Sequence, residues 1–209
     1  MSNGKNLKSL HKTAILSVSA IVLTACGGGG GGGLFGSSSV LSGLAVDGYV
    51  QGATVFLDIN KNGVLDAGEP SATTDATGKY TLDYSAVSTS VTGLPIVVTG
   101  GIDTDTGNAF TGQLSARVDK AITGQVVSPL TSLIDAAIAQ GLAADVDTAK
   151  TMIASGLGLT VAQLTSDPVA AIASNPAIYS TAVTLQRSVQ LLASANSTPN
   201  ETAQQTQER

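Results

Sequence analysis

The chain is poor in the residues that do most protein chemistry. It has one cysteine, one histidine and no tryptophan, aromatics make up 3% and charged residues 12% of its 209 positions. A lone thiol excludes a disulfide within the chain. The lone histidine, His11, sits near the start, so nothing beyond residue 25 supplies an imidazole. Ser–His–Asp and Cys–His catalysis and His-ligated zinc are thereby excluded from the rest of the chain. Carboxylate-pair or Ser–Lys chemistry stays open, but no residue pattern points to it. Long apolar runs are also scarce. The run at 13–25 falls short of the roughly 20 residues that a spanning helix needs.

What stands at the N-terminus has the order of an export signal. Lys5, Lys8, His11 and Lys12 form a basic region, an apolar stretch follows, and Leu23, Thr24 and Ala25 lead into Cys26. The last four residues resemble a lipobox, which implies cleavage before Cys26 and acylation of its sulfur. Buried acyl methylenes contribute about 0.8 kcal/mol each, so a multiply acylated Cys26 anchors the chain firmly to a membrane. Gly27 follows where a retention signal would have Asp, and that resemblance implies the outer membrane. Without residues 1–25 the ten Lys+Arg lose Lys5, Lys8 and Lys12, leaving seven against 15 Asp+Glu, a formal charge of −8. That balance argues against nucleic acid as a partner.

Five segments are expected. Residues 1–25 are the signal, and 26–43 are the lipidated cysteine with a flexible Gly/Ser tether that opens on seven consecutive glycines. Residues 44–127 carry short β-prone runs. In one, Tyr80, Leu82 and Tyr84 share a face; in another, the continuous apolar run 95–99 predicts a strand buried on both faces. Further strands are expected at 110–114 and 123–127. The texture then turns helical over 128–195, with Ser128 as N-cap, Pro129 at the first helical position and Gly141 as a stop. A second helix is expected from Asp145 or Asp147 to Ser155. Asp167 with Pro168, and Asn175 with Pro176, repeat the cap-then-proline signature. Over 177–194 the stripe Ile178, Ala182, Leu185, Val189 and Leu192 predicts a helix face packed in the core. The polar tail 196–209 predicts disorder. The expected class is α+β, a small antiparallel β-sandwich followed by a helical subdomain.

One segment carries recognisable site chemistry. Residues 58–69 match the calcium-loop template D-x-[DN]-x-[DN]-G-x5-E at every defined position. Oxygens from loop positions 1, 3, 5, 7, 9 and 12 must converge on a hard cation at about 2.3–2.6 Å. Those positions are Asp58, Asn60, Asn62, the Val64 carbonyl, Asp66 and Glu69, with Gly63 at the bend and Leu65 as an apolar anchor facing away from the ion. The plain alternative is an Asx/Gly turn whose side chains cap their own backbone. A β-prone run enters the loop and Pro70 leaves it, so the helix–loop–helix frame of a calcium sensor is missing. Asp103 and Asp105, in the Gly-rich 100–107 segment, are either further ligands or turn residues.

The block 46–70, with 74–80 after it, resembles a prealbumin-like domain. It is similar in particular to carboxypeptidase-regulatory-like and collagen-adhesin B-type modules. Residues 100–107 and 126–134 are similar to the continuation of such modules in adhesin-like and RTX-type proteins, where a small helical segment follows. The resemblance spans about residues 44–195. It implies a β-sandwich scaffold for adhesion, spacing or surface assembly, and no enzymatic activity. The expectation is a non-enzymatic, Ca2+-stabilised lipoprotein held on the outer membrane through Cys26, with a protein or polysaccharide partner at the cell surface. Two alternatives stand beside it. One is an accessory lipoprotein docking onto an envelope or export complex through its helical half. The other is a targeting module of a carbohydrate-active system, for which Phe110 and Tyr179 are the only aromatics after Tyr84.

Overall fold

The structure, a computed structural model, describes residues 39–196. Cys26, the signal, residues 26–38 of the tether and residues 197–209 of the tail lie outside the described residues. The class is mixed α+β, with three sheets and four α-helices among the described residues. The β half has strands β1 (Val40–Ala45), β2 (Val50–Gln51), β3 (Thr54–Leu57), β4 (Ser71–Thr73), β5 (Lys79–Asp83), β6 (Pro95–Thr99), β7 (Ile102–Asp103), β8 (Gln113–Arg117) and β9 (Gln125–Val127). They form a sheet ordered β4-β3-β6-β8, a second ordered β5-β1-β9, and the small pair β2-β7.

Alternation decides which side of each strand faces inward. In β5 the polar positions are exposed while Tyr80 and Leu82 are buried, and Tyr84 beyond it is half-buried. Val55, Leu57, Ile96, Val98, Leu114 and Ala116 of the four-stranded sheet share one core with Leu41, Ala45, Tyr80, Leu82 and Val127 of the three-stranded sheet. β6 is buried on both faces as its apolar run predicts, for Val97 on the opposite face is covered too, as is Phe56 of β3. Gly43 of β1 is required by close approach. A Cβ there would lie 1.9 Å from the Gln125 carbonyl and 2.5 Å from the Tyr80 hydroxyl. That hydroxyl donates to the same carbonyl at 3.1 Å.

Three expectations about the strands need correction. β1 begins at Val40, inside the stretch 26–43 read as tether, because residues 79–83 and 125–127 offer it partners on both edges. The set is not wholly antiparallel. β9 runs parallel to β1, since the chain crosses from one sheet to the other over 118–124 rather than turning back in a hairpin. The strand expected at 110–114 lies at Gln113–Arg117, and Phe110 is a buried loop residue whose N–H donates to Gly101.

The helices are α1 (Pro129–Ala139), α2 (Val146–Leu157), α3 (Val161–Leu164) and α4 (Pro176–Asn196), with a 3-10 turn at Ala170–Ala173. Ser128 caps α1 as expected, reciprocally with Thr131. Asp145 caps α2, whose last residue, Leu157, lies two past the expected Ser155, with Gly158 in the left-handed region as its C-cap. Asp167 and Pro168 open the 3-10 turn rather than an α-helix, Asp167 Oδ1 accepting from the Val169 and Ala170 amides. Leu130, Ile134, Ala137, Ala149, Ala154, Leu164, Ile178 and Ala182 form a second core. The α4 stripe enters it only at first. Ile178 and Ala182 are buried, Leu185 is half-buried, and Val189 is 52% exposed where the helix runs on.

α1 covers the free edge of β8. An edge strand presents unpaired backbone groups that need partners. Ser115 donates its N–H to Ser132 Oγ at 2.9 Å, and its carbonyl accepts from Thr131 Oγ1 and Ser132 Oγ at 3.1 and 3.2 Å. Arg117, nearly buried, donates to Asp135 at 2.5 Å and to the Gly93 carbonyl at 3.0 Å. Lys150 of α2 reaches Asp119, two residues beyond β8. Thr131→Val, which keeps the side-chain shape and deletes the hydroxyl, removes the cap partner of Ser128 together with a seam bond. Urea denaturation is expected to show a loss of about 1–3 kcal/mol. An unchanged midpoint would mean that the seam hydroxyls contribute nothing.

Candidate cation site

The loop 58–69 joins β3 to β4. Its ends are held by main-chain bonds from Leu57 N–H to the Pro70 carbonyl at 3.0 Å and from Asp58 N–H to the Pro95 carbonyl at 2.9 Å. Asp58, the first template position, is 2% exposed. Its two carboxylate oxygens accept from the amides of Asn62 at 3.1 Å and Gly63 at 2.8 Å. Asn60 Oδ1 accepts from Asn62 N–H at 3.1 Å, and Asn62 Oδ1 from Val64 N–H at 2.8 Å. Glu69 reaches back to close the loop, taking the Ile59 and Asp66 amides at 2.7 and 3.1 Å. The bend uses the left-handed region twice, at Lys61 (φ 63) and Gly63 (φ 77). Glycine carries that conformation without steric cost.

Asp66 is the meeting point of the two amides. Asn60 Nδ2 and Asn62 Nδ2 both donate to its Oδ2 at 2.7 Å. Those bonds hold the Asp66 carboxyl below the usual carboxylate range. Asp66 is fully exposed, so the effect on stability is screened.

The loop gathers five side chains of the template, but not as a bare carboxylate cluster. Among the described residues no three His, Cys, Asp or Glu side chains are grouped as a metal centre. A cation here would need the Asn60 and Asn62 oxygens and the Val64 carbonyl besides Asp58, Asp66 and Glu69. That donor set is all oxygen, which suits a hard cation. Each carboxylate or amide oxygen that accepts one amide hydrogen keeps a further lone pair. Calcium ligation and backbone capping are therefore compatible at the same atoms.

The apolar neighbours fall out differently than expected. Leu65 is 40% exposed and Val64 60% exposed, so neither anchors the loop in a core. The contact that ties the loop tip back comes from β8 instead, where Gln113 Nε2 donates to the Gly63 carbonyl at 2.7 Å. Gln113 lies 50 positions away, and nothing in the template announces it.

Asp103 and Asp105 belong to a different place. Thr54, at the start of β3, pairs with Thr99, while Leu57 beside the loop pairs with Ile96. The 100–107 segment thus leaves from the end of the sheet away from the loop. Asp103 Oδ1 accepts from Asp105 N–H at 2.9 Å, as a turn residue does. Asp105 also accepts from the Tyr179 hydroxyl on α4 at 3.0 Å, and Tyr49 donates to Asp167 at the same distance. A Cβ on Gly48 would lie 2.1 Å from Asp103 Oδ1, so this acidic turn is pressed against the β1–β2 corner. Asp47, on that corner, is pushed up to about 7, first by burial and then by the charges of Asp103 and Asp105.

Compared with protein-family models, curated proteins and solved structures, the chain matches none. Among the described residues no helix is long and apolar enough to cross a membrane.

Asp47 gives a pH signature. Its folded carboxyl binds a proton more tightly than the unfolded one, so its contribution to stability is complete below about pH 4. That contribution is lost as pH rises through about 7. Asp47→Asn is expected to melt with wild type near pH 4 and above it at pH 8, as measured by thermal melts across that range. Equal melting temperatures at both ends would contradict the assignment.

Proposed function

We propose that this chain is a calcium-stabilised lipoprotein, anchored to the outer membrane through an acylated Cys26, with a structural or adhesive rather than catalytic role. On this reading the β half is a prealbumin-like sandwich, and the ion sits in the 58–69 loop. The observation that carries it is the loop itself. Asp58, Asn60, Asn62, Asp66 and Glu69 all turn their oxygens into one hydrogen-bonded network between two strands. Calcium there would neutralise three carboxylates and order a segment that otherwise costs conformational entropy. Rigid strands on either side suit a stabilising ion better than a signalling one. The affinity expected of such a module lies at roughly 10⁻⁴–10⁻³ M.

The non-enzymatic part of the reading rests on composition. Beyond residue 25 there is no histidine, and Cys26 is committed to lipid. The partner is a protein or polysaccharide at the cell surface, and the charge of −8 disfavours nucleic acid. A second reading has the helical half as the docking element of an envelope or export complex. It is favoured by large apolar side chains left exposed on that half, namely Leu142 at 69%, Ile172 at 42%, Val161 at 41% and Met152 at 39%.

Thermal melting of the purified protein in chelator and in millimolar calcium, beside Glu69→Gln, tests the leading reading. Calcium is expected to raise the melting temperature of wild type and to leave the variant unchanged. At millimolar calcium, about one to ten times the expected dissociation constant, the gain corresponds to about 0.4–1.4 kcal/mol. Identical melts with and without calcium would reduce the loop to a self-capping turn. Metabolic labelling with a fatty acid, lost in Cys26→Ser, tests the anchor independently.

A further inference from the structure

Asn62 and Gly63 form the one Asn–Gly pair among the described residues. Glycine has no Cβ to shield its nitrogen, so this pair offers the least steric resistance to attack of the backbone nitrogen on the preceding side-chain carbonyl. Asn62 is exposed, and a Cβ added at Gly63 would meet only the tip of Gln113, 3.7 Å away. The loop adds two contacts that such an acyl transfer uses. Asp58 Oδ2 accepts from the Gly63 N–H at 2.8 Å, which puts a carboxylate on the proton the nucleophile must lose. Val64 N–H donates to Asn62 Oδ1 at 2.8 Å, the oxygen on which negative charge develops.

We propose that Asn62 is a self-modification site, at which the cation-free loop cyclises and deamidates with the help of Asp58 and the Val64 amide. The Gly63 nitrogen loses its proton and bonds to Asn62 Cγ. The Cγ–Nδ2 bond breaks, and Nδ2 leaves with that proton as ammonia. A five-membered imide remains, and water opens it. Cleavage of the new Cγ–N bond gives aspartate at position 62. Cleavage of the original peptide bond gives isoaspartate, with the main chain routed through Cβ and Cγ.

The two products act on the loop in opposite ways. Aspartate adds a fourth carboxylate beside Asp58, Asp66 and Glu69. Isoaspartate lengthens the backbone at the bend and displaces the Gly63 and Val64 amides from Asp58 and Asn62. The regulatory half of the idea rests on the calcium reading above. Asn62 Oδ1 and Asp58 are both proposed ligands, so a bound ion would hold the side chain away from the imide geometry and engage the carboxylate that receives the proton.

The test follows conversion of the full chain at mildly alkaline pH by peptide mapping and isoaspartate detection. It is run in chelator, in calcium and in urea, with calcium binding measured by calorimetry on the same samples. In chelator, Asn62 of the folded chain is expected to convert roughly tenfold faster than in urea, a modest general-base effect. Asp58→Asn is expected to slow it, and calcium to suppress it several-fold. Conversion in the folded chain no faster than in urea overturns the proposal. Calcium that binds without slowing conversion overturns the protection. Conversion that persists where calorimetry finds no calcium binding leaves the modification site standing and removes the metal reading alone.

Discussion

Strand β3 hydrogen-bonds β4 on one edge and β6 on the other, and its side chains are buried on both faces. A strand so placed has almost no freedom to shift, because a slip of one residue would exchange its core-facing side chains for the others. Val55 and Leu57 set the inner core, and Phe56 is covered on the outer face. The chain leaves this strand at Asp58, whose amide is still held by Pro95. The first candidate ligand is therefore positioned by the sheet rather than by the loop. Glu69 then returns to the Ile59 amide and locks the last position against the first. The loop is a closed set of polar contacts mounted on a strand that is paired on both edges.

The second constraint lies at the other edge of the same sheet. Among the described residues β8 has no strand partner beyond β6, and α1 takes that place with hydroxyl groups instead of a backbone ladder. Thr131 both caps the helix and bonds the strand, so the start of α1 and its seat on the sheet are one feature. Arg117 adds a largely buried pair with Asp135 that would leave an uncompensated charge if either side were removed. Gln113, on the same strand, reaches the loop tip. β8 thus connects the helical half and the candidate site through one short element.

Much of this was legible where a residue pattern has a single physical solution. The alternation of Tyr80 and Leu82, the unbroken 95–99 run and the Ser128–Pro129 start each point to one local structure. All three occur where expected. What could not be read depended on partners distant in sequence. Val40–Ala45 contains Ser42 and Gly43 and has no strong β signature; it is a strand because β5 and β9 lie on either side. Ser71–Thr73 is short and mostly exposed, and exists because β3 offers an edge. The parallel β1–β9 pairing has no local signal at all. By contrast, Thr160 and Gln163 form a capping box that is legible in the sequence, and α3 follows it. At the site, the template picks out side chains that join the loop's hydrogen-bond network but not Gln113, and Leu65, expected as an apolar anchor, is 40% exposed.

The central claim is that the 58–69 network is a cation site and not only a self-capping turn. The two differ in how firmly the inner amides are held. Amide hydrogen exchange of Asn62, Gly63 and Val64, in chelator and in millimolar calcium, reads that difference at the residues concerned. Exchange at these amides is expected to slow by roughly two- to tenfold with calcium, while the strand amides of β6 change little. Equal exchange in both conditions would contradict the account and leave the loop as a turn that needs no ion.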